Sequence, residues 1–246
     1  MTKIGIIGSK GRMGQAITAV ISAAGADAAY ILAGGADQGD DVAALAAISD
    51  VLIDFSSPMA LEANLHAAIA AGKPIVIGTT GLEERHHYLI DDAAADIAIL
   101  QTGNSSLGVN MLAALVQEAA ERLSDDWDIE IMEMHHRHKV DAPSGTAMLL
   151  GDAAAQGRAI DLASNSERGR NGITGARQQG AIGFASLRGG SVAGDHSVIF
   201  AGNGESITLS HRAEDRSIFA KGAVKAALWL IGQDKGRYDM RGLLGI

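Results

Sequence analysis

The sequence predicts an α/β protein with a parallel-sheet domain and a smaller mixed-sheet α+β domain. Three observations predict it. Residues 1 to 101 alternate short β-rich runs with alanine-rich stretches of helical spacing, the pattern of a parallel sheet covered on both faces. The first run enters a glycine turn that opens straight into a helix. Beyond Gln101 the alternation gives way to strand-rich sequence, which suits a mixed or antiparallel sheet.

The first strands are read at Lys3–Gly8, Ala29–Ala33, Val51–Phe55, Pro74–Gly78 and Ile97–Gln101, and the helices between them at Met13–Ala24, Met59–Ala71 and Glu83–Ala95. Unbroken apolar runs such as Val51-Leu52-Ile53 fit strands buried on both sides. A Gly- and Ser-rich loop, Thr102–Gly108, leads into a helix at Asn110–Leu123 and a strand at Asp128–Met134. The connection His135–Thr146 precedes a helix at Ala147–Gly157, and the polar, Gly-rich stretch Ser164–Gly180 reads as a mobile loop. Strands return at Ala181–Leu187, His196–Ala201 and Glu205–His211, and a last helix runs from Ile218 to Ile231.

Composition narrows the function. The 246 residues are 47% hydrophobic and 20% charged, which allows a substantial core. The formal charge of −9 makes nucleic acid and anionic membrane surfaces poor partners. A small anionic substrate would then need a locally basic pocket. With no cysteine, disulfides, thiolate metal sites and cysteine nucleophiles are excluded. The opening apolar run is too short for a signal peptide and no stretch reaches the length of a membrane span, so the expected location is cytoplasmic.

The first turn reads Gly8-Ser9-Lys10-Gly11-Arg12-Met13-Gly14. Between a strand and a helix, such glycines let backbone N–H groups approach a pyrophosphate at the helix N-terminus, as in a Rossmann-like domain. The turn lacks the Gly-Lys-Ser/Thr ending of an ATP-binding P-loop. An acid for the ribose hydroxyls is expected near the end of the second strand; Asp37 is the candidate, and no basic neighbour for a 2′-phosphate is read there, which leans to NADH over NADPH. Two further turns, Gly78-Thr79-Thr80-Gly81 and Thr102-Gly103-Asn104-Ser105-Ser106, fall at strand ends on the same sheet edge. They offer small residues and hydroxyls to a ribose and a nicotinamide, although such residues also favour ordinary turns.

The densest chemistry lies in Glu133-Met134-His135-His136-Arg137-His138-Lys139-Val140-Asp141-Ala142-Pro143-Ser144-Gly145-Thr146. Three histidines, an arginine and a lysine form a cationic island in an acidic chain, suited to a small dicarboxylate. Pro143 favours an extended Ala142, Ser144 can cap the next helix, and the amides of Gly145 and Thr146 can receive a carboxylate. Zinc is the rival reading of three histidines, but neighbours in an extended segment point to opposite sides and no Glu-x-x-His spacing completes a site, so no metal is expected. A basic surface patch without chemistry is the other reading.

This stretch resembles the signature of the 4-hydroxy-tetrahydrodipicolinate (dihydrodipicolinate) reductase family, Glu-x-His-His-x-x-Lys-x-Asp-x-Pro-Ser-Gly-Thr, and meets each fixed position. Gly8–Gly14, Gly78–Gly81, Asn104–Asn110, Arg188-Gly189-Gly190, Gly194-Asp195-His196 and Phe219-Ala220-x-Gly222-Ala223 are also similar to it. The resemblance implies a Rossmann-like domain of residues 1–106 with 216–246. Residues 107–215 would form a substrate-binding domain that also assembles a homotetramer. It implies His135 as proton donor and acceptor, Lys139 as a second proton donor, and His136, Gly145 and Thr146 as substrate ligands. Gly8, Ser9, Lys10, Gly11, Arg12, Met13, Gly78, Thr79, Thr80, Thr102, Gly103, Asn104 and Ser105 would line NADH or NADPH.

Two departures bear on the cofactor. Ser105 stands where the family often has an aromatic residue, and ungapped counting puts Gly34 and Gly35 where an acid and a base often sit. A dehydrogenase of another amino or hydroxy acid would lack the full His-His to Ser-Gly-Thr run, and a non-catalytic dinucleotide sensor would have no use for the cationic island.

Overall fold

Strand and helix alternate from the first residues, as the apolar periodicity requires. The computed structural model describes residues 1–25 and 27–246. In chain order, β1 (Thr2–Ile7), α1 (Arg12–Ala23), β2 (Tyr30–Ala36), α2 (Val42–Ile48) and β3 (Val51–Asp54) are followed by a short 3-10 turn at Pro58–Ala60. Then come α3 (Leu61–Ala71), β4 (Ile75–Ile77), α4 (Glu84–Ala93) and β5 (Ala98–Gln101). After α5 (Leu107–Arg122) the chain forms β6 (Asp128–His135), α6 (Gly145–Gly157), α7 (Leu162–Asn165), β7 (Ser166–Glu167), β8 (Ile182–Arg188), β9 (Gly194–Ala201) and β10 (Ser206–Ala213). It ends in α8 (Ser217–Leu230), β11 (Gly236–Tyr238) and α9 (Met240–Leu244). Two units divide these elements: Met1–Leu107 with Ser217–Ile246, and Gly108–Arg216.

In the first unit six parallel strands run in the order β11-β5-β4-β3-β1-β2. Alternate residues of each strand face opposite sides. Ile4, Ile6, Val51, Ile53, Val76 and Leu100 pack with Ile17 and Ile21 of α1 and with α8. Ile7, Leu52, Ile75, Ile77 and Ile99 pack with Leu45, Leu61, Leu65 and Ile90 on the other side. Both faces are covered, which explains the continuous apolar runs. The strand order reverses between β1 and β3, so the carboxyl ends of those strands form the crevice where such sheets bind ligands.

The second strand corrects the sequence reading. β2 runs on to Ala36, past the expected end at Ala33. The register with β1 shifts between Ile4 and Gly5, so Ile4 faces Leu32 but Gly5 faces Gly34. This one-residue bulge carries Gly34 and Gly35 inside the strand and delivers Asp37 at its mouth, which ungapped counting does not show. Helix α2, started by the Asp41 side chain accepting from the Ala44 amide, is an addition to the sequence reading, as are β11 and α9.

The second unit is a mixed sheet in the order β10-β9-β6-β8-β7. β9 is antiparallel to β6 and β10, whereas β8 is parallel to β6 and β7. Ile129, Ile131, Ile182, Phe184, Val198 and Phe200 pack against Leu112, Val116 and Ala120 of α5 and Leu150 and Ala154 of α6. The opposite face is open, with Met132 and Leu187 exposed. Ser164–Gly180 is not simply a loop. It holds the end of α7 and the whole of β7, and Arg170 and Arg177 then bind the Glu130 carboxylate, Arg170 also reaching Glu167 and Arg177 Asp128.

Candidate active site

The cofactor end is built where β1 turns into α1. Gly8 has φ +81°, and a Cβ there would stand 2.5 Å from the Phe55 carbonyl oxygen. A Cβ on Gly14 would overlap the Gly8 oxygen, so the turn closes this tightly only with glycine at both places. Gly11 caps α1 without any side-chain hydrogen bond. The amides of Arg12, Met13 and Gly14 therefore open a helix end suited to an anion. The arrangement fits a dinucleotide pyrophosphate.

Asp37 lies beside this turn. Its carboxylate accepts from Ser9 Oγ at 2.5 Å and from the Lys10 amide at 3.1 Å. Asp40 accepts from the Asp37 amide at 2.9 Å. A basic side chain is present after all: Lys10 Nζ sits 3.9 Å from Asp37 and 3.7 Å from Asp40. Two carboxylates thus stand against this one ammonium.

The hydroxyls of the other two turns face inward. Thr79 Oγ1 donates to the Asp54 carboxylate, Thr102 Oγ1 to the Asn104 carbonyl, and Ser105 Oγ to the Phe219 carbonyl of α8. They shape the turns. A cavity of about 480 Å³ lies instead at the β11 edge, lined by Gln101, Arg237, Tyr238, Asp239 and Gly242. Its Arg237 is already held by Asp91, His87 and Gln101.

The chemical end belongs to the second unit. The period of two along β6 puts Glu133 and His135 on the covered face, both buried. Glu133 Oε2 lies 2.6 Å from His135 Nδ1. Arg188 grips both carboxylate oxygens of Glu133 at 2.8 Å, and the Ser144 amide donates to Oε1 at 3.3 Å. Burial opposes ionisation of Glu133, but hydrogen bonds from Arg188, His135 and Ser186 outweigh it and hold the carboxyl below its ordinary range. The ionised Glu133 thus accepts the Nδ1 proton, a tautomer assigned from the network, and leaves Nε2 as the ring nitrogen turned away from it. A Cβ on Gly194 would stand 3.1 Å from that Nε2, so glycine there keeps its approach clear.

His196 stands edge-on to His135, ring centroids 5.0 Å apart. Its Nε2 is 3.0 Å from Ser144 Oγ, which also accepts the Ala147 amide as the cap of α6. Burial first, and then the charge of His135, push His196 down to about 4, so it is neutral near pH 7. Which of Ser144 Oγ and His196 Nε2 donates is set by the tautomer of that neutral ring. Gly145 and Thr146 become the first two residues of the capped helix.

His136 leaves the strand and meets Arg216, whose NH2 lies 3.0 Å from its Nε2. Desolvation and then the Arg216 charge lower the His136 pKa, so the imidazole accepts from the guanidinium. Lys139 Nζ pairs with Asp141 at 2.9 Å, a hydrogen bond that holds the Asp141 carboxyl below its ordinary range. The fold thus gathers His135, His136, Lys139, Gly145 and Thr146 around one connection. Sequence reasoning gave no role to Glu133, Arg188, His196 or Arg216. The i, i+2 spacing of Glu133 and His135 on a strand was a signal for the first; the other three come from distant strands or their ends. Among the described residues no group of three or more His, Asp and Glu side chains forms a metal site.

The family models described as "Dihydrodipicolinate reductase, N-terminus" and "Dihydrodipicolinate reductase, C-terminus" match residues 2–105 and 108–244. The chain belongs to the dihydrodipicolinate reductase family. A 4-hydroxy-tetrahydrodipicolinate reductase of Zymomonas mobilis is 57% identical to this family member over 99% of the chain and 97% of the relative. One from Rhodopseudomonas palustris is 50% identical over 98% and 96%. Among solved structures, a dipicolinate-bound dihydrodipicolinate reductase from a Paenisporosarcina species shares the reductase fold with TM-score 0.77 at 22% identity, covering 97% of both chains. A scyllo-inositol dehydrogenase from Lactobacillus casei with bound NAD(H) and scyllo-inositol gives TM-score 0.56 at 13% identity, over 100% of this chain and 94% of that one.

Proposed function

We propose that this chain reduces 4-hydroxy-tetrahydrodipicolinate with NAD(P)H and a proton, giving tetrahydrodipicolinate, NAD(P)⁺ and water. The observation that carries this reading is the Glu133–His135 pair beside the Ser144 cap of α6: a proton donor with a fixed tautomer next to amides that can take a carboxylate. The first unit holds the dinucleotide through the first-turn amides of α1 and the Asp37 side of the crevice. When bound, the dinucleotide supplies a hydride.

In the second unit Gly145 and Thr146 amides hold one substrate carboxylate, and His136, Arg216 and Lys139 supply positive charge for the other. Loss of the 4-hydroxyl as water leaves a conjugated imine. Hydride arrival at its far carbon places negative charge on the resulting enamine, and His135 Nε2 delivers the proton that restores the imine. Lys139, partly withdrawn by Asp141, assists as a second cation and proton donor.

The acids Asp37 and Asp40 favour NADH over NADPH. The open sheet face around Met132 and Leu187 supports assembly of four copies, which light scattering would show as a mass four times that of the chain. Among the described residues no helix is long and apolar enough to cross a membrane; the acidic chain is read as cytoplasmic, which cell fractionation would check. The decisive assay couples the protein to a synthase that condenses aspartate semialdehyde with pyruvate and follows absorbance of the reduced cofactor. Oxidation that depends on both synthase substrates and is faster with NADH is expected. No oxidation with either cofactor would refute the assignment.

A further inference from the structure

Asp54 is a buried acid that none of the chemistry above uses. It closes β3 at the point where the strand order reverses, between Ile7 of β1 and Ile77 of β4. Its side chain is 0% exposed. Oδ1 accepts from the Ser56 amide at 2.9 Å, Ser56 Oγ at 2.6 Å and Thr79 Oγ1 at 3.2 Å. Oδ2 accepts from Asn64 Nδ2 of α3 at 3.0 Å. The same Asn64 nitrogen reaches Ser56 Oγ, and the Ser56 amide also reaches Thr79 Oγ1.

These four donors come from the turn after β3, the turn after β4 and α3, and none is a cation. Burial pushes the Asp54 pKa up, against the pull of the Ser56, Asn64 and Thr79 hydrogen bonds. A buried carboxyl without a cationic partner is a poor way to stabilise a core, where an apolar residue serves as well or better. What it does supply is geometry. The backbone continues the same tie: the Gly78 amide donates to the Asp54 carbonyl at 2.9 Å, and the Phe55 ring fills the place a Gly78 Cβ would take. The Phe55 carbonyl in turn lies against Gly8. The turns after β1, β3 and β4 therefore take their spacing from Asp54 and its neighbour.

We propose that Asp54 is a positioning residue for the dinucleotide: its carboxyl sets the turn after β3 against the turn after β4 and so shapes the crevice at the ends of β1 and β3. This rests on the reading that the crevice takes the dinucleotide. NADH titration of the wild-type protein, by fluorescence, tests that reading separately; absence of binding there sinks both.

Given wild-type binding, D54N places an amide NH₂ among donors. NADH affinity is expected to fall about tenfold or more, with kcat at saturating NADH within about twofold. The exchange D54N/N64D returns a carboxylate to the other end of the same bond. The new amide on β3 then accepts from Ser56 and Thr79 and donates to the new carboxylate on α3, and most of the lost affinity is expected back. If D54N does not fold, T79V removes only the hydroxyl that donates to Asp54 and accepts from the Ser56 amide, and is expected to weaken NADH binding with little change in thermal unfolding. Unchanged NADH affinity in the variant that folds overturns the proposal. So does a double variant that regains thermal stability without regaining affinity, since Asp54 would then be structural only.

Discussion

Replacing Glu133 by Gln alters one oxygen of a carboxylate that accepts twice from Arg188 and once each from His135, the Ser144 amide and Ser186. If the new NH₂ faces His135, the imidazole must accept at Nδ1 and hold its proton on Nε2, in a neutral form that is a much weaker acid. If it faces Ser144, two donors, the Ser144 amide and one Arg188 nitrogen, lose their acceptor. Charged hydrogen bonds of this kind contribute about 1.5–3 kcal/mol each, and breaking a buried ion pair by removing one partner costs about 3–5 kcal/mol. The expected loss of stability is therefore roughly 3–5 kcal/mol, measured by urea unfolding. Loss of a correctly poised proton donor should lower kcat by about 10²–10⁴, while NADH affinity, set in the other unit, stays put. The ¹⁵N shifts of His135 should change their tautomer signature. A variant with wild-type kcat and an unchanged signature would refute this account of the pair.

His196 gives a pH prediction. Burial and the neighbouring His135 lower it from 6.5 to about 4 in the folded state. Between those values the unfolded chain takes up a proton that the folded chain does not, so stability falls as pH drops from 6.5 towards 4, by up to about 3 kcal/mol. Urea melts at pH 7 and pH 5 should show this, and His196→Asn should flatten the difference; equal slopes in both proteins would speak against it. At the cofactor end, Asp37→Asn should raise kcat/KM with NADPH relative to NADH by about tenfold, since a nearby negative charge is removed. No change in that ratio would remove Asp37 from cofactor choice.

The elements of the first unit were legible because each strand is a short apolar run and each long helix has an apolar stripe. What was lost there was local. The bulge at Ile4 and Gly5 moves β2 by one residue, and no residue type announces it. Helix α2, with 7 residues, is too short for a clear period. In the second unit, Asp128–Met134 reads as a strand, which the structure extends by one residue to His135, and Ser144 reads as a cap, which stands. Arg170 and Arg177 looked like loop composition because their partners Asp128 and Glu130 are some 40 to 50 positions away in sequence. Separations of 55 and 52 positions hid Arg188 from Glu133 and His196 from Ser144. Sequence spacing shows which groups share a strand face; it does not show which strand comes to lie beside it.

The measurement closest to the central claim is turnover and NADH affinity of His135→Gln and Lys139→Ala, side by side in the coupled assay and by titration. The account predicts a fall in kcat of about 10²–10⁴ for His135→Gln, a smaller fall for Lys139→Ala, and NADH dissociation constants within about twofold of wild type. Turnover that survives the loss of His135, or NADH affinity that falls in step with it, would contradict the division of labour between the two units.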